Sequence, residues 1–149
     1  MSRTDQELRI AAALNPVAQA WRAAADDALA SLGIKSAVAW CIVHLARLGT
    51  DVRQTELASA IGISDPSLAR TIAQVVADGL VERRVDANDR RSNLMTLTAR
   101  GRALAIQAEE RLADLRSELL AGASDADLAL IVRVFDSVNA RLGKGRSAT

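Results

Sequence analysis

Residues 54–101 read QTELASAIGISDPSLARTIAQVVADGLVERRVDANDRRSNLMTLTARG, and this stretch decides the fold of the 149-residue chain. Its first half predicts a short helix that is capped by Thr55 and broken at Gly62. A second helix is capped by Ser64, has a proline in its first turn and stops at Gly79. Two short helices joined by a glycine-containing turn are typical of a helix-turn-helix.

The second helix of this motif has one apolar face and one polar face. The polar face is almost free of acidic residues and consists of Ser67, Arg70, Thr71 and Gln74. The last three follow Ser67 by three, four and seven residues, which is helical spacing. Side chains of these types can bond the edges of bases and the oxygens of phosphates. The face is therefore predicted to contact double-stranded DNA.

A β-hairpin with an arginine-rich tip is predicted directly after the helix-turn-helix. Its strands cover residues 80–85 and 93–98, and a polar turn joins them. Between Glu82 and Arg102 the chain carries six arginines against three acids, a local charge of +3. This order of elements is the signature of a winged helix, whose hairpin tip can reach the neighbouring minor groove. Arginine suits that groove because a narrow minor groove has an enhanced negative potential.

Helices flank this lobe on both sides, so we expect a mainly α fold. A helix is predicted over residues 16–31, with Asn15 as its cap and a proline in its first position, after a short or kinked helical piece. A nearly all-apolar helix follows over residues 36–48. A long helix opens at Thr98, and a last helix follows a predicted capping box that starts at Ser124.

Composition limits the classes of function. The chain is 50% hydrophobic and 25% charged with a net charge of +1, which is typical of one globular domain with a packed core. It has one histidine, one cysteine, no tyrosine and no glycine-rich phosphate loop, so we expect no enzyme activity, no metal site and no cofactor. No apolar run is long enough to span a bilayer and the N-terminus lacks a signal-peptide core, so we expect a cytoplasmic protein without a membrane partner.

From about Trp21 to Leu142 the sequence resembles the MarR-type regulators, the multiple-antibiotic-resistance repressor family. An Asp-Arg-Arg turn, a short strand and then Leu-Thr with a glycine at the helix start form the most specific part. The resemblance rests on five strings in this order: QTELA at 54–58, SDPSL at 64–68, DGLVER at 78–83, DRRS at 89–92 and LTARG at 97–101.

The resemblance implies an obligate homodimer that places two winged helices on palindromic DNA. It implies a repressor, often released by a small phenolic ligand or by oxidation. It divides the chain by role into a dimerisation helix at 1–35, a winged helix-turn-helix lobe at 36–98 and C-terminal dimerisation helices at 99–142. A disordered basic tail is expected at 143–149.

Roles for single residues also follow from the resemblance. Ser64, Ser67 and Arg70 would contact DNA from the recognition helix. Arg91 would enter the minor groove while Asp89 holds it by a charge-assisted hydrogen bond, and Arg90 would contact a phosphate. Asp65 departs from the pattern, because many relatives have a basic or neutral residue there.

Three alternatives stay open at this stage. Trp21, Trp40 and His44 are either core residues or the wall of a pocket for a small aromatic effector. Cys41, within an apolar helix, is either an inert core thiol or the sensor of a thiol-based redox switch. The winged helix itself either binds an operator or serves as a protein-interaction module without one.

Overall fold

The computed structural model describes residues 1–146, and the side chains of residues 1–143. The chain divides into two compact units, Met1–Leu115 and Arg116–Thr149. The helices are α1 (Arg3–Ala30), α2 (Ser36–Leu48), α3 (Gln54–Ile61), α4 (Asp65–Ala77), α5 (Ala99–Leu119) and α6 (Asp125–Arg146). The strands are β1 (Val52–Arg53), β2 (Val81–Val85) and β3 (Asn93–Leu97). None of the helices within residues 1–146 combines the length and the apolar character needed to cross a membrane.

Helix α2 lies at the centre of the first unit. Its Ile42 and Leu45 belong to a core cluster that also contains side chains of α3, α4, the sheet and α5. Its Ala39 and Val43 belong to a second cluster with side chains of α1 and α5. A helix that packs on two sides needs apolar residues on both, which explains why its sequence is nearly all apolar.

The helix-turn-helix has the predicted second helix, whereas its first helix begins earlier. Helix α4 follows Ser64 at the N-cap position and has its proline in the first turn. Gly62 adopts the left-handed conformation, with φ of +80°, and turns the chain between α3 and α4. Helix α3 begins at Gln54, so the N-cap is Arg53 and not Thr55. The Glu56 side chain accepts a hydrogen bond from the Arg53 amide at 3.2 Å, which closes the earlier first turn.

The hairpin forms as predicted to within one residue at its ends. Strands β2 and β3 pair antiparallel, with Val81 opposite Leu97 and Val85 opposite Asn93. A third strand, β1, pairs with β3 on its other edge and gives the sheet order β1-β3-β2. The sequence analysis did not predict β1, because a two-residue strand shows no alternation that could reveal it.

The end of α4 is hydrogen-bonded to the start of α5. The Thr98 amide donates to the Leu80 carbonyl at 3.0 Å, and the Thr98 hydroxyl donates to the Gly79 carbonyl at 2.7 Å. The Arg100 guanidinium donates to the Asp78 carbonyl at 2.9 Å. The Thr98 hydroxyl oxygen also accepts the Gly101 amide at 3.0 Å, so Thr98 caps α5, which begins one residue later than the predicted start at Thr98.

The prediction that the first main helix begins at Pro16 was wrong. Helix α1 is continuous from Arg3 to Ala30 and contains Pro16 in its interior. Its N-cap is Ser2, which forms a capping box with Asp5. Proline removes one hydrogen bond from a helix, and the carbonyl it leaves without a donor can be hydrated because residues 11–20 are exposed.

The second unit contains the end of α5 and the whole of α6. The predicted capping box is present, since the Ser124 hydroxyl accepts the Asp127 amide at 3.2 Å and Asp127 accepts the Ser124 amide at 3.0 Å. Helix α6 continues to Arg146, so the predicted disorder was wrong for residues 143–146. One glycine in a helix costs only about 1 kcal/mol, which is too little to end it. Residues 147–149 of the predicted tail lie outside the described residues.

Candidate nucleic-acid interface

Helix α4 exposes a polar face and buries an apolar one. Ser67, Arg70 and Gln74 are exposed and Thr71 is half-buried, whereas the opposite positions Leu68, Ile72 and Val75 are 0–1% exposed. This periodicity fixes the rotation of the helix about its axis. The four residues predicted to contact DNA therefore share one side of the helix, and the burial of the other side holds them there.

Most of this face already has local hydrogen bonds. The Ser64 hydroxyl donates to the Ser67 hydroxyl at 3.1 Å, and the Thr71 hydroxyl lies 3.5 Å from the Ser67 carbonyl. The Gln74 amide donates to Asp78 at 2.9 Å. Within residues 1–146, Arg70 makes no ion pair, so its guanidinium is available to an anionic or base partner.

Asp65 lies in the first turn of α4 and is exposed. A carboxylate there interacts favourably with the helix dipole and repels a phosphate that approaches the same amides. The start of α4 is therefore less suited to a backbone phosphate than its middle is.

The turn between β2 and β3 is closed by its own backbone. The Asp86 amide donates to the Ser92 carbonyl at 2.9 Å, and the Ser92 amide donates to the Asp89 carbonyl at 2.9 Å. Arg90 and Arg91 lie on this turn and are exposed. This hairpin, formed by β2, β3 and the turn between them, is the wing of the fold. It presents two arginines from a hydrogen-bonded loop.

The structure differs from the predicted hydrogen bond between the Asp89 carboxylate and the Arg91 guanidinium. Asp89 Oδ1 accepts the backbone amide of Arg91 at 3.0 Å. An aspartate commonly accepts the backbone amide two residues further on in an Asx turn. This hydrogen bond competes with the arginine side chain for the carboxylate. Asp89 therefore shapes the turn, and the guanidinium of Arg91 is left to other partners.

Asp86 is a structural residue of the wing that the sequence analysis missed. It is only 4% exposed although it carries a charge. Its Oδ2 lies 3.0 Å from Nη2 of Arg53, and its Oδ1 accepts the Asn88 amide at 2.9 Å. In the sequence Asp86 is one of several polar residues of a turn, and nothing in the pattern marks it as buried.

A cleft of about 370 Å³ separates the wing from the start of the helix-turn-helix. Asp89 and Arg91 of the wing and Asp65 of α4 all line this cleft. Its lining consists of Arg53, Gln54, Thr55, Asp65, Asp89, Arg91, Ser92 and Asn93. The polar face of α4 and the wing are thus two separate surfaces of one unit, with a cleft between the wing and the first turn of α4.

Comparison with known proteins identifies the family. The model of the MarR family matches residues 32–92. The crystal structure of transcriptional regulator PA3341 is 32% identical to the chain with a TM-score of 0.82, and the match covers 91% of this chain and 98% of that one. The chain belongs to the MarR family.

More distant MarR-family structures share its fold. A mutant MarR from E. coli complexed with operator DNA is 22% identical with a TM-score of 0.73, over 93% of this chain and 99% of that one. A MarR-family regulator from Rhodococcus sp. RHA1 is 22% identical with a TM-score of 0.76, over 93% of this chain and 95% of that one. The chain is thus a winged-helix transcription regulator of the MarR family, whose members are generally non-enzymatic.

Trp40 of this MarR-family chain is held in a polar cluster on α1 and α2. Its indole N–H donates to Asp26 at 2.7 Å, and the Ser36 hydroxyl donates to the same oxygen at 2.7 Å. The Arg22 guanidinium lies 4.3 Å from the centroid of the indole ring, within cation–π range. Burial raises the pKa of Asp26, but these hydrogen bonds and the Arg22 charge outweigh it and leave the pKa below its usual range.

His44 lies one helical turn beyond Trp40, and their ring centroids are 5.8 Å apart. Burial lowers its pKa, and the charges of Arg47 and Arg22 lower it further. His44 is therefore neutral at neutral pH. Trp21, the third residue predicted for an effector pocket, is half-buried on α1.

A mostly apolar cavity lies elsewhere in the first unit. It has a volume of about 480 Å³ and lies between the end of α2, β3 and the start of α5. Its lining is mostly apolar and includes Val43, Ala46, Leu97, Ala105 and Ile106, with Arg47 and Arg102 beside them. Trp21, Trp40 and His44 are not among its lining residues, so the predicted pocket residues and the cavity do not coincide.

Cys41 has the environment of an inert core thiol. It is 0% exposed, and burial raises the pKa of its thiol to about 12. The reactive thiolate is then almost absent at neutral pH. Across the part of the chain that the structure describes, no group of three or more His, Cys, Asp or Glu side chains could hold a metal ion.

Proposed function

We propose that this regulator binds a palindromic operator as a homodimer and represses transcription. One recognition helix α4 of each protomer enters a major groove, and each wing reaches the adjacent minor groove. The observation that carries the proposal is the exposed polar face of α4, on a helix whose other face is fully buried. This face includes Arg70, which makes no ion pair with any of the described residues. A MarR neighbour of the same fold was solved with operator DNA, which supports this assignment. Because an operator lies on the chromosome, we place this regulator in the cytoplasm.

Exposed apolar side chains on the terminal helices support the homodimer. The first half of α1 exposes Leu8, Ile10, Leu14 and Val17 at 49–69%. Helix α6 exposes Ile131, Val134, Phe135, Val138 and Leu142 at 42–62%, at spacings that make a helical stripe. Apolar surface of this extent is usually covered by a partner, and the dimer helices predicted by the family resemblance are these. Sedimentation that gives a monomer at working concentration would contradict the dimer.

The first experiment measures binding to the intergenic DNA upstream of the chain's own gene, at two salt concentrations. We expect tight, sequence-specific binding that weakens steeply with salt, because phosphate contacts release counterions. Absence of binding at low salt to this DNA and to random DNA would contradict the proposal. It would favour the protein-interaction module instead.

Two substitutions locate the contacts. Arg91→Ala should weaken specific binding about tenfold to a hundredfold, because it removes a minor-groove contact. Arg70→Ala should relax the preference for operator over random DNA, and a uniform loss on both would make Arg70 a phosphate contact. Arg3→Ala is the matched control, since Arg3 pairs with Glu7 at 2.8 Å, is 91% exposed and lies on neither surface. Unchanged affinity of Arg91→Ala would remove the wing assignment.

We further propose that a small aromatic ligand releases the repressor from DNA. The apolar cavity of about 480 Å³, with Arg47 and Arg102 beside it, has the size and character of a small-molecule site. The alternative binding site for the ligand is the one predicted from the sequence, at Trp21, Trp40 and His44. Salicylate is the probe: if release depends on the cavity, Ala46→Phe should abolish the effect of salicylate and His44→Gln should retain it. The reverse result would assign the ligand to the aromatic residues, and no effect on the wild type would exclude this ligand.

A further inference from the structure

One ion pair ties the wing to the first helix of the helix-turn-helix. Nη2 of Arg53 lies 3.0 Å from Oδ2 of Asp86. Arg53 is the N-cap residue of α3, whereas Asp86 directly follows β2 and opens the wing turn. The pair therefore spans 33 residues of sequence and connects the element that begins the DNA-reading motif to the loop that carries Arg91.

Asp86 organises the turn as well as the pair. Its amide donates to Ser92, its carbonyl accepts the Asp89 amide at 3.3 Å, and its Oδ1 accepts the Asn88 amide at 2.9 Å. Its side chain is 6% exposed, compared with 48% for Arg53. A buried carboxylate without a cation is strongly unfavourable, so a turn folded around Asp86 depends on Arg53.

We propose that Arg53 and Asp86 are positioning residues for the wing. The pair fixes the turn at one place relative to α3 and α4, and thereby sets where Arg91 is presented to DNA. Neither side chain needs to touch DNA in this role. The inference rests on the proposed function, because it assigns the pair a task in operator binding.

A double-mutant cycle separates positioning from general stability. Asp86→Asn keeps an acceptor for the Asn88 amide and removes the charge that Arg53 pairs with. If the pair acts through Arg91, Asp86→Asn should weaken operator binding about tenfold in the wild type and less than about twofold in an Arg91→Ala background. Equal losses in both backgrounds would show a general structural effect and overturn the proposal.

Two further variants sharpen the cycle. Arg53→Met should reproduce the loss, and Arg53→Lys should recover part of it, because a lysine keeps the charge without the planar guanidinium. The control is Asp51→Asn, which breaks the ion pair of Asp51 with Arg84 at 2.8 Å. That pair also involves a residue of β2, but both of its side chains are exposed by about half, 48% and 59%, so its loss should leave operator affinity within about twofold. A loss as large as that of Asp86→Asn would overturn the proposal.

A measurement without DNA tests the positioning step by itself. Amide hydrogen exchange should become faster at Asn88, Asp89 and Ser92 in Asp86→Asn and Arg53→Met, and stay unchanged at Ile72 and Val75 of α4. Unchanged exchange in the turn would overturn the inference even if the wild type binds its operator. Faster exchange in a protein that binds no operator would contradict the proposed function and leave the anchoring of the wing by Arg53 intact.

Discussion

Gly101 is the position at which one added carbon should harm this protein most. A Cβ built on Gly101 would overlap the carbonyl oxygen of Leu80 and lie 2.9 Å from the Leu80 carbonyl carbon. It would also lie 3.2 Å from Cδ2 of Leu97. The Leu97 side chain can rotate away. The Leu80 carbonyl belongs to the backbone and accepts a hydrogen bond from the Thr98 amide, so it cannot move as easily. Gly101→Ala must therefore push the start of α5 away from the end of α4.

The size of the effect follows from two opposing contributions. Alanine in place of glycine stabilises a helix by about 1 kcal/mol. Overpacking against an immobile backbone costs about 3 kcal/mol or more. The net loss is then about 2 kcal/mol, which lowers the Tm of a domain of this size by roughly 4–8 °C.

Thermal unfolding followed by circular dichroism measures the change of Tm. All variants are compared at one protein concentration, because the stability of a dimer depends on protein concentration. Gly143→Ala is the matched control, since Gly143 is also helical and a Cβ there would meet nothing within 4 Å. It should leave the Tm unchanged or raise it. A Gly101→Ala protein with the Tm of the wild type would refute the close approach of α5 to Leu80.

Two further predictions concern titrating groups. Because the pKa of Cys41 is raised to about 12, the thiol stays protonated at neutral pH, so peroxide should leave DNA affinity unchanged; loss of binding that Cys41→Ala prevents would instead establish a redox switch. The pKa of Asp26 is lowered in the folded state, so its contribution to stability is complete above the ordinary value of 3.8 and is lost as the pH falls through the lower folded value. Asp26→Asn should therefore flatten the fall of the Tm with pH below about 4, and an unchanged acid profile would contradict the role of the Trp40 and Ser36 hydrogen bonds.

Local signals in the sequence were sufficient for most of the helices and for the hairpin. Ser64, Gly62 and Gly79 predicted the bounds of α4 because capping and left-handed glycines act within a few residues. Ser124 predicted the start of α6 for the same reason. The alternating residues on either side of the polar turn predicted β2 and β3, because one face of each strand meets the core.

The features that the sequence did not predict depend on contacts between distant residues. Strand β1 exists because Val52 and Arg53 meet Met95 and Leu94, more than 40 residues away. The buried Asp86 pairs with Arg53, 33 residues away, and α1 runs through Pro16 despite the local signal for a helix start at Asn15 and Pro16. The polar face of α4 was visible as a periodicity, whereas the cleft beside the wing was not, because a cavity has no local pattern.

The hydrogen bonds from Thr98 and Arg100 to the carbonyls of residues 78–80 join the start of α5 to the segment that follows α4. Those carbonyls lie directly after α4 and would otherwise be free to accept hydrogen bonds from water. Helix α5 has 21 residues and is therefore roughly 30 Å long, so a tilt of about 5° displaces its far end by roughly 2–3 Å. We therefore expect a ligand or a neighbouring protomer that tilts α5 to shift the segment that ends α4 as well.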